Sequence, residues 1–210
     1  LQIDCDWTAG SRAAFFEFLT KVYPMVRAEG WQLSVTIRLH QVADPKGTGL
    51  PPADRGMLMF YNMGQLSSWE EANSVLNLTA ARPYLSARSA AYPLPLDVAL
   101  PVFNWGVLFR DGQFTQLLNN LDTTHLGEVA QYEKLAPYRY RVRQNTYLQG
   151  TYVYRDDLIR VETVVPEQLS AVRDLLRPYL RAAAYISFYH LDAAALKQIP
   201  YVELEAFFDD

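Results

Sequence analysis

The sequence lacks three features that assign many proteins to a class: cysteine pairs, an excess of basic charge and a long apolar run. Cys5 is the only cysteine in 210 residues, which excludes an intrachain disulfide and a cysteine-based zinc site. Lysine and arginine total 19 against 23 aspartates and glutamates, for a net charge of −4. This balance argues against nucleic-acid binding, which normally needs a basic patch.

No apolar stretch approaches the roughly 20 residues of a transmembrane helix, so no membrane span is predicted. Half of the residues are apolar and 13% are aromatic, which is enough for a sizeable core and unlike a disordered composition. The length fits a single domain over residues 1–210. Because the chain starts at Leu1, inside a strand-like pattern, we expect further sequence N-terminal to it.

Five segments have the pattern of buried strands. The first, LQIDCDW, alternates a polar face with Asp4 and Asp6 against an apolar one. The others are LSVTIRLHQ, MLMFYNMG, residues 96–104 and AAYISFYHLD. Helices are predicted near 11–28, 76–90 and 166–181. Repeated strand–helix order predicts parallel pairing with right-handed crossovers.

A different pattern occupies residues 136–165. Apolar and polar residues alternate there in the strings YRYRVRQ, TYVYRD and LIRVETVV. Turn signals lie near Gly150 and at Asp156-Asp157. This stretch predicts a small antiparallel β insertion before the last helix and strand.

The spacing of the strands resembles the second half of glycoside hydrolase family 18, the chitinase-like barrels. LQIDCDWT resembles the end of that family's Asp-x-x-Asp-x-Asp-x-Glu motif, with Asp4 and Asp6 on its middle and third acids. FYN resembles the family's Met-x-Tyr-Asp strand, which aligns Tyr61 with the tyrosine and Asn62 with the acid. LDVALPVFNWG resembles strand seven.

The strings DCDWT, TIRLHQ, DRGMLMFYN and LPLDVALPVFNWG resemble more closely a bacterial family of unknown function, number 3142. Together these resemblances imply an α/β fold, the C-terminal five βα units of a TIM (β/α)8-type barrel. They also imply a protein that acts on or binds a carbohydrate. Because five strands cannot close an eight-stranded barrel, we expect upstream sequence to supply the missing N-terminal strands.

The resemblance breaks at the general acid. Thr8 stands where the chitinase-like family has its glutamate, and a threonine hydroxyl cannot protonate a glycosidic oxygen at neutral pH. The family's substrate-assisted mechanism therefore does not carry over as it stands. Glu70 and Glu71, in the loop after the third strand, are alternative acids, although such carboxylates are usually only solvated.

Asp4 and Asp6 are the predicted catalytic residues, because chemistry in these barrels sits at the C-terminal strand ends. Two like charges this close would favour one protonated and one ionised carboxyl, a usable acid/base pair. Arg38 and His40 share the polar face of the second strand, where Arg38 would pair with an aspartate and His40 would contact substrate. The alternatives are a structural network around Arg38 and a buried core histidine.

Tyr61 and Asn62 are predicted to bind substrate at the end of the third strand. A tyrosine hydroxyl can donate to a developing charge, and an asparagine can orient an amide or hydroxyl. A core tyrosine beside a solvated asparagine is the alternative. Asp97 lies inside its strand, which favours a structural role.

Three further substrate-binding residues are predicted near the last two strands. Trp105 would offer its face to a sugar ring. In ISFYHLD, which resembles the family's Trp-x-x-Asp segment, Tyr189 stands on the tryptophan and Asp192 on the aspartate. Strand alternation predicts that at most one of Tyr189 and His190 points inward.

These residues support three hypotheses: a glycosidase-like enzyme using Asp4 and Asp6, an inactive barrel that binds glycan in the same cleft, and a structural domain. The histidines and aspartates lack ligand spacing, so neither a metal nor a cofactor is predicted. A periplasmic or cell-envelope location is expected only from the carbohydrate ligand.

Overall fold

The computed structural model describes residues 1–86, 91–180, 183–190, 193, 197 and 199–208. Its strands, in chain order, are β1 (Gln2–Ile3), β2 (Ser34–Ile37), β3 (Arg55–Met59), β4 (Leu96–Pro101), β5 (Trp105–Arg110), β6 (Gln113–Asn119), β7 (Tyr132–Ala136), β8 (Arg139–Val142), β9 (Thr146–Leu148), β10 (Thr151–Val153), β11 (Leu158–Glu162) and β12 (Ile186–Tyr189). The helices are α1 (Arg12–Ala28), α2 (Leu39–Ala43), α3 (Pro45–Thr48), α4 (Leu78–Ala81), α5 (Pro166–Leu180) and α6 (Tyr201–Glu205).

Five strands form a curled parallel sheet in the order β1-β2-β3-β4-β12. The prediction of a parallel α/β half-barrel is therefore confirmed. Register places Thr36 opposite Met57 and Met57 opposite Asp97, so these side chains share one face, called here the inner face. Residues of the other face, such as Ile37 and Leu100, are buried in one core with apolar residues of α1 and α5.

The second predicted strand is shorter than its pattern suggested. β2 ends at Ile37, and α2 begins at Leu39. The side chain of Gln41 accepts a hydrogen bond from the Arg38 backbone N–H at 2.7 Å, which starts a helical turn where alternation predicted a strand. His40 therefore lies on a short helix, and its predicted place on the polar face of a strand was wrong.

The predicted helix over 76–90 is also shorter. The structure has α4 and a 3-10 turn at Arg82–Tyr84 that contains Pro83. The side chain of Asn77 caps α4 by accepting from the Ala80 N–H at 3.0 Å. Residues 87–90, the end of the predicted segment, lie outside the described residues.

Antiparallel strands begin well before the predicted limit of 136–165. One sheet has the order β6-β5-β11-β8-β7, and β9 and β10 form a separate hairpin. β5 was missed because its apolar sequence continues that of β4 without a clear break. The turn to β6 has left-handed residues at Asp111 (φ 51°) and Gly112 (φ 75°), the Asp-Gly signal of a tight hairpin. No helix in the described part of the chain is long and apolar enough to cross a membrane.

Asp97 connects three neighbouring strands from inside the parallel sheet. It is 2% exposed and accepts from Arg55 of β3 at 2.8 and 2.7 Å. It also accepts from the backbone N–H groups of Ala184 and Tyr185 at 3.1 and 3.0 Å. The carboxylate thus fixes β3 on one side and the start of β12 on the other.

We predict that Asp97→Ala lowers the free energy of unfolding by about 3–5 kcal/mol, because it leaves the Arg55 guanidinium without a partner in a largely buried position. Urea unfolding followed by circular dichroism measures this change. Lys21→Ala is the control, since it breaks an exposed helical pair with Glu17 and should cost less than about 0.5 kcal/mol. Equal effects of the two substitutions would contradict the structural role of Asp97.

Candidate functional site

A cleft of about 140 Å³ lies at the carboxyl ends of the parallel strands. It is lined by side chains that follow β2 and β3 and by one from the 3-10 turn after α4: Arg38, Leu39, His40, Met59, Tyr61, Asn62, Met63 and Tyr84. Four of the predicted site residues, Arg38, His40, Tyr61 and Asn62, are in this set.

Asp6 and Arg38 form a bidentate ion pair beside the cleft. The Arg38 Nε donates to both carboxylate oxygens at 3.0 Å, and Nη2 donates at 2.7 Å. The hydrogen bond to Asp6 raises the pKa of Arg38, although its partial burial opposes this. Proton transfer to Asp6 would disrupt these charge-assisted bonds. The pair therefore suits a fixed recognition element better than an acid.

Asp4 has a separate partner. Its Oδ1 accepts from the hydroxyl of Thr36 at 3.0 Å, and its side chain is exposed. Asp4 and Asp6 thus occupy the same inner face, as alternation predicted, but each is held by a different donor on β2 or just after it. Among the described residues, Asp4 makes no ion pair.

Aromatic rings form the second component of the site. Tyr61 and Tyr189 stack nearly parallel, with centroids 5.2 Å apart and an angle of 9°. Phe103 meets both rings edge-on, at 6.1 and 5.8 Å. Tyr61 is 8% exposed whereas Tyr189 is 47% exposed, so Tyr189 presents a supported ring to solvent. We refer to Tyr61, Phe103 and Tyr189 as the aromatic platform.

His190 also contacts this platform. Its ring stacks on Phe103 at 6.1 Å with an angle of 20°. The prediction that at most one of Tyr189 and His190 points inward was therefore wrong. β12 ends at Tyr189, so the alternation of a strand does not extend to the next residue.

The Tyr61 hydroxyl is held in its protonated form. Burial raises the pKa of Tyr61 to about 12, with further contributions from the negative charge of Asp4 and from Tyr189, while the positive charge of Arg38 opposes the rise. At neutral pH this hydroxyl therefore keeps its proton and can donate a hydrogen bond.

Two other predicted residues lie at the rim of the cleft. Asn62 is exposed and has φ 54°, a left-handed conformation that asparagine adopts more readily than most residues. Its backbone N–H donates to the Val75 carbonyl at 2.8 Å. His40 is exposed on α2, so the alternative of a buried core histidine does not apply.

Trp105 lies behind the platform. Its ring contacts Phe103 at 5.3 Å, and its Nε1 donates to Oε2 of Glu162 at 2.6 Å. It is partly buried, so it supports Phe103 rather than presenting a free face as predicted. Asp192 lies outside the described residues.

Of the two alternative acids, Glu71 is engaged in local structure, whereas Glu70 is exposed. Thr8 and Ser11 exchange hydrogen bonds at the start of α1, with the Thr8 N–H donating to the Ser11 hydroxyl at 2.9 Å. Burial alone would raise the pKa of Glu71, but donors from Gln65, Asn77, Asn73 and Ala72 outweigh it and lower that pKa. Glu71 is therefore a structural carboxylate of its loop, poorly suited to release a proton.

Sequence reasoning missed two residues that matter to the site. Phe103 contacts every other ring of the platform and its surroundings, and Thr36 holds Asp4. A signal for Phe103 was present, because it continues the inner-face series of β4 at positions 97, 99 and 101.

In the described part of the chain, no group of three or more His, Cys, Asp or Glu side chains could hold a metal ion.

The fold is similar to solved chitinase-like structures. A chitinase from Chromobacterium violaceum ATCC 12472 has a TM-score of 0.58 at 18% identity, covering 100% of this chain and 66% of that one. The spore cortex-lytic enzyme SleL of Bacillus megaterium QM B1551 has 0.56 at 15% identity, covering 92% and 46%. A class V chitinase from Pseudomonas fluorescens Pf-5 has 0.51 at 12% identity, covering 99% and 66%.

At these identities the likeness shows a shared fold. The chain spans about two thirds or less of the length of these structures. No protein-family profile matches the sequence, and no curated protein sequence matches it. The predicted chitinase-like fold is confirmed at this level, and the narrower family assignment is not tested by it.

We predict that Tyr61 weakens the fold at alkaline pH. Its pKa is about 12 in the folded chain against an ordinary value of 10.0, so the unfolded chain ionises first and stability falls as pH rises from 10 to 12. Tyr61→Phe should therefore lose less stability than the wild type over this range in urea unfolding. Parallel pH profiles for the two proteins would contradict the protonated state assigned to Tyr61.

Proposed function

We propose that this chain forms the glycan-binding cleft of a chitinase-like barrel and binds a carbohydrate at the carboxyl ends of its parallel strands. The observation that carries this proposal is the ring of Tyr189, exposed to solvent and stacked on Tyr61 beside Asp4 and the Asp6–Arg38 pair. The chain spans only part of the length of its structural neighbours. Any activity that such neighbours have as whole proteins is therefore only proposed for this chain.

The chemistry of the site fits a sugar. An exposed aromatic face packs against the apolar C–H face of a sugar ring. The polar groups around it supply acceptors on Asp4 and donors on Arg38 and Tyr61, the complement that ring hydroxyls require. The exposed ring of Tyr189 is supported by Tyr61 and Phe103, so little side-chain freedom remains to be lost when a ligand binds.

Binding is better supported than hydrolysis. A glycosidase normally needs one carboxyl that protonates the leaving oxygen and a second that acts as base or nucleophile. Thr8 occupies the place of the acid and exchanges hydrogen bonds with Ser11, Glu71 is held by its loop, and Asp6 is paired with Arg38. Asp6 and Glu71 are therefore committed to other interactions, whereas Asp4 and Glu70 are exposed and make no ion pair among the described residues.

A glycosidase-like enzyme is the second candidate, favoured by one observation. Asp4 is exposed and accepts only from Thr36, so it retains an oxygen for a proton or a substrate. In this alternative Asp4 and Asp6 serve as the acid/base pair, and Asn62 and His40 contact the sugar. A third possibility, a structural domain with no ligand, is less consistent with a cleft at the strand ends.

The assignment to family 3142 also belongs to this proposal. It rests on the strings DCDWT, TIRLHQ, DRGMLMFYN and LPLDVALPVFNWG.

We further propose that strands encoded upstream complete the barrel, because β1 and β12 are the two edges of the parallel sheet. A periplasmic or envelope location would match a polysaccharide ligand.

We predict that Tyr189→Ala weakens the binding of chitin oligosaccharides at least about tenfold, because it removes the exposed stacking surface. Isothermal titration calorimetry gives the dissociation constants. Tyr138→Ala is the control, since Tyr138 is 49% exposed on the turn between β7 and β8, and we expect it to bind like the wild type. Unchanged binding by Tyr189→Ala would remove the platform from the proposed site.

For catalysis, we expect no turnover of aryl glycosides or bacterial polysaccharides above the uncatalysed rate. Asp6→Asn preserves the shape of the side chain but loses the charge-assisted bonds to Arg38, so glycan binding should weaken without being abolished. If turnover is found and falls by about 10²–10⁴ in Asp4→Asn or Asp6→Asn, the size expected for losing an acid or base, the enzyme hypothesis replaces the binding one.

A further inference from the structure

Glu162, at the end of β11, is a buried carboxylate outside the cleft and is 1% exposed. Hydrogen bonds connect it to the segment after β3 and to the aromatic platform, which form two sides of the cleft. Its Oε2 accepts from the Ser74 hydroxyl and from Trp105 Nε1, each at 2.6 Å. Its Oε1 accepts from Arg160 Nε at 2.7 Å. The two Oε2 partners lead by separate routes to the residues that line the cleft.

The first route runs through Ser74 to the backbone after β3. The Ser74 carbonyl accepts from the N–H groups of Met63 and Gly64 at 3.1 and 3.2 Å. The neighbouring Val75 carbonyl accepts from Asn62 at 2.8 Å. The position of Ser74 therefore sets the path of Asn62 and Met63, both of which line the cleft.

The second route runs through Trp105 to the platform. The hydrogen bond to Glu162 fixes the edge of the indole, whose ring contacts Phe103 at 5.3 Å. Phe103 in turn contacts Tyr61 and Tyr189. A rotation of the Trp105 ring would thus change the support of the exposed Tyr189 face.

Arg160 keeps this carboxylate in place. The two side chains form an ion pair at 2.6 Å, and both are 0% exposed. Arg160 also donates to the carbonyls of Ser68 and Leu66 in the loop after β3 and lies over the Phe109 ring at 5.3 Å. A buried charge with this many partners has few alternative positions, because losing any of them leaves an unpaired polar group.

We propose that Glu162 is a positioning residue. Through Ser74 and Trp105 it fixes the segment after β3 and the aromatic platform relative to each other, and these are the two sides of the glycan cleft. This inference rests on the proposed function. A carboxylate that served only to stabilise the antiparallel sheet would not need donors from the loop after β3 and from the ring behind the platform. Glu162 combines both because it lies opposite Trp105 in the pairing of β11 with β5 and also accepts from Ser74 of the loop after β3.

The main test is Glu162→Gln, which keeps the shape of the side chain but replaces one acceptor oxygen with an amide donor. Whichever way the amide turns, its NH₂ meets an N–H group that can only donate, on Arg160 or on Trp105. We expect chitin oligosaccharides to bind about tenfold more weakly, by calorimetry, from the loss of charge-assisted bonds. The indole N–H resonance of Trp105, assigned by its absence in Trp105→Phe, should also move in NMR spectra.

Glu133→Gln is the matched control. Glu133 lies on β7 of the same antiparallel sheet and pairs with Arg141 near the surface, with side chains 38% and 45% exposed. This variant removes the same charge from the sheet without touching either route. We expect its oligosaccharide affinity and its Trp105 resonance to match those of the wild type.

Ser74→Ala is a milder second variant, needed because Glu162→Gln leaves Arg160 buried without its charge partner. Ser74 is 2% exposed and does not line the cleft, and its loss leaves the Arg160–Glu162 pair intact. One lost hydrogen bond to a charged acceptor predicts binding weaker by about fivefold or more. Both variants are measured well below their melting temperatures, after circular dichroism has confirmed the fold.

Three outcomes separate this inference from the proposed function. Weaker binding by folded Ser74→Ala, with Glu133→Gln unchanged, supports the positioning role. Wild-type affinity in folded Ser74→Ala, together with weak binding by Tyr189→Ala, overturns the positioning role and leaves the glycan cleft intact. A wild-type protein that binds no oligosaccharide removes the proposed function and this inference with it.

Discussion

The half-barrel depends on the return of β12 to the sheet beside β4. The chain leaves the parallel sheet after Pro101 and rejoins it at Ile186, after the whole antiparallel sheet and α5. Closing so long a loop has an entropic cost. Asp97 offsets it at the point of return, because its buried carboxylate accepts from the backbone just before β12 as well as from Arg55. Tyr189 reaches Tyr61 only because β12 lies in this register.

Two buried ion pairs therefore fix the segments that form the site. Arg55–Asp97 joins strands of the parallel sheet, and Arg160–Glu162 joins the antiparallel sheet to the loop after β3. Each pair also hydrogen-bonds to groups that are distant in the sequence. Such directional bonds specify the relative position of two segments more narrowly than apolar contacts do. Buried pairs of this kind are weak sources of net stability, so their value here is geometric. Of the residues that line the cleft, those from Met59 to Met63 belong to β3 and the loop after it, which these pairs hold.

Alternation in the sequence was a good guide wherever a strand was present. It placed Asp4 and Asp6 on one face and made Arg38 the partner of an aspartate, and Asp6 and Arg38 do form an ion pair. It failed beyond strand ends: His40 lies on a helical turn that follows β2, and His190 follows the last residue of β12. The buried pair of Arg160 and Glu162 was not predicted, because both residues were included in the general polar alternation of residues 136–165. Opposite charges two residues apart among β-branched residues were the available signal for a buried pair.

The same pairing bears on what the cleft can do. A general acid needs a proton that it can release when the transition state forms, whereas a binding site gains from groups already fixed in place. Asp6 is held by Arg38, Tyr61 keeps its proton to about pH 12 and Glu71 is held by its own loop. These groups are arranged before any ligand arrives and have little freedom to exchange protons with it. Under the proposed function, a cleft built in this way favours recognition of a sugar over cleavage of its bond.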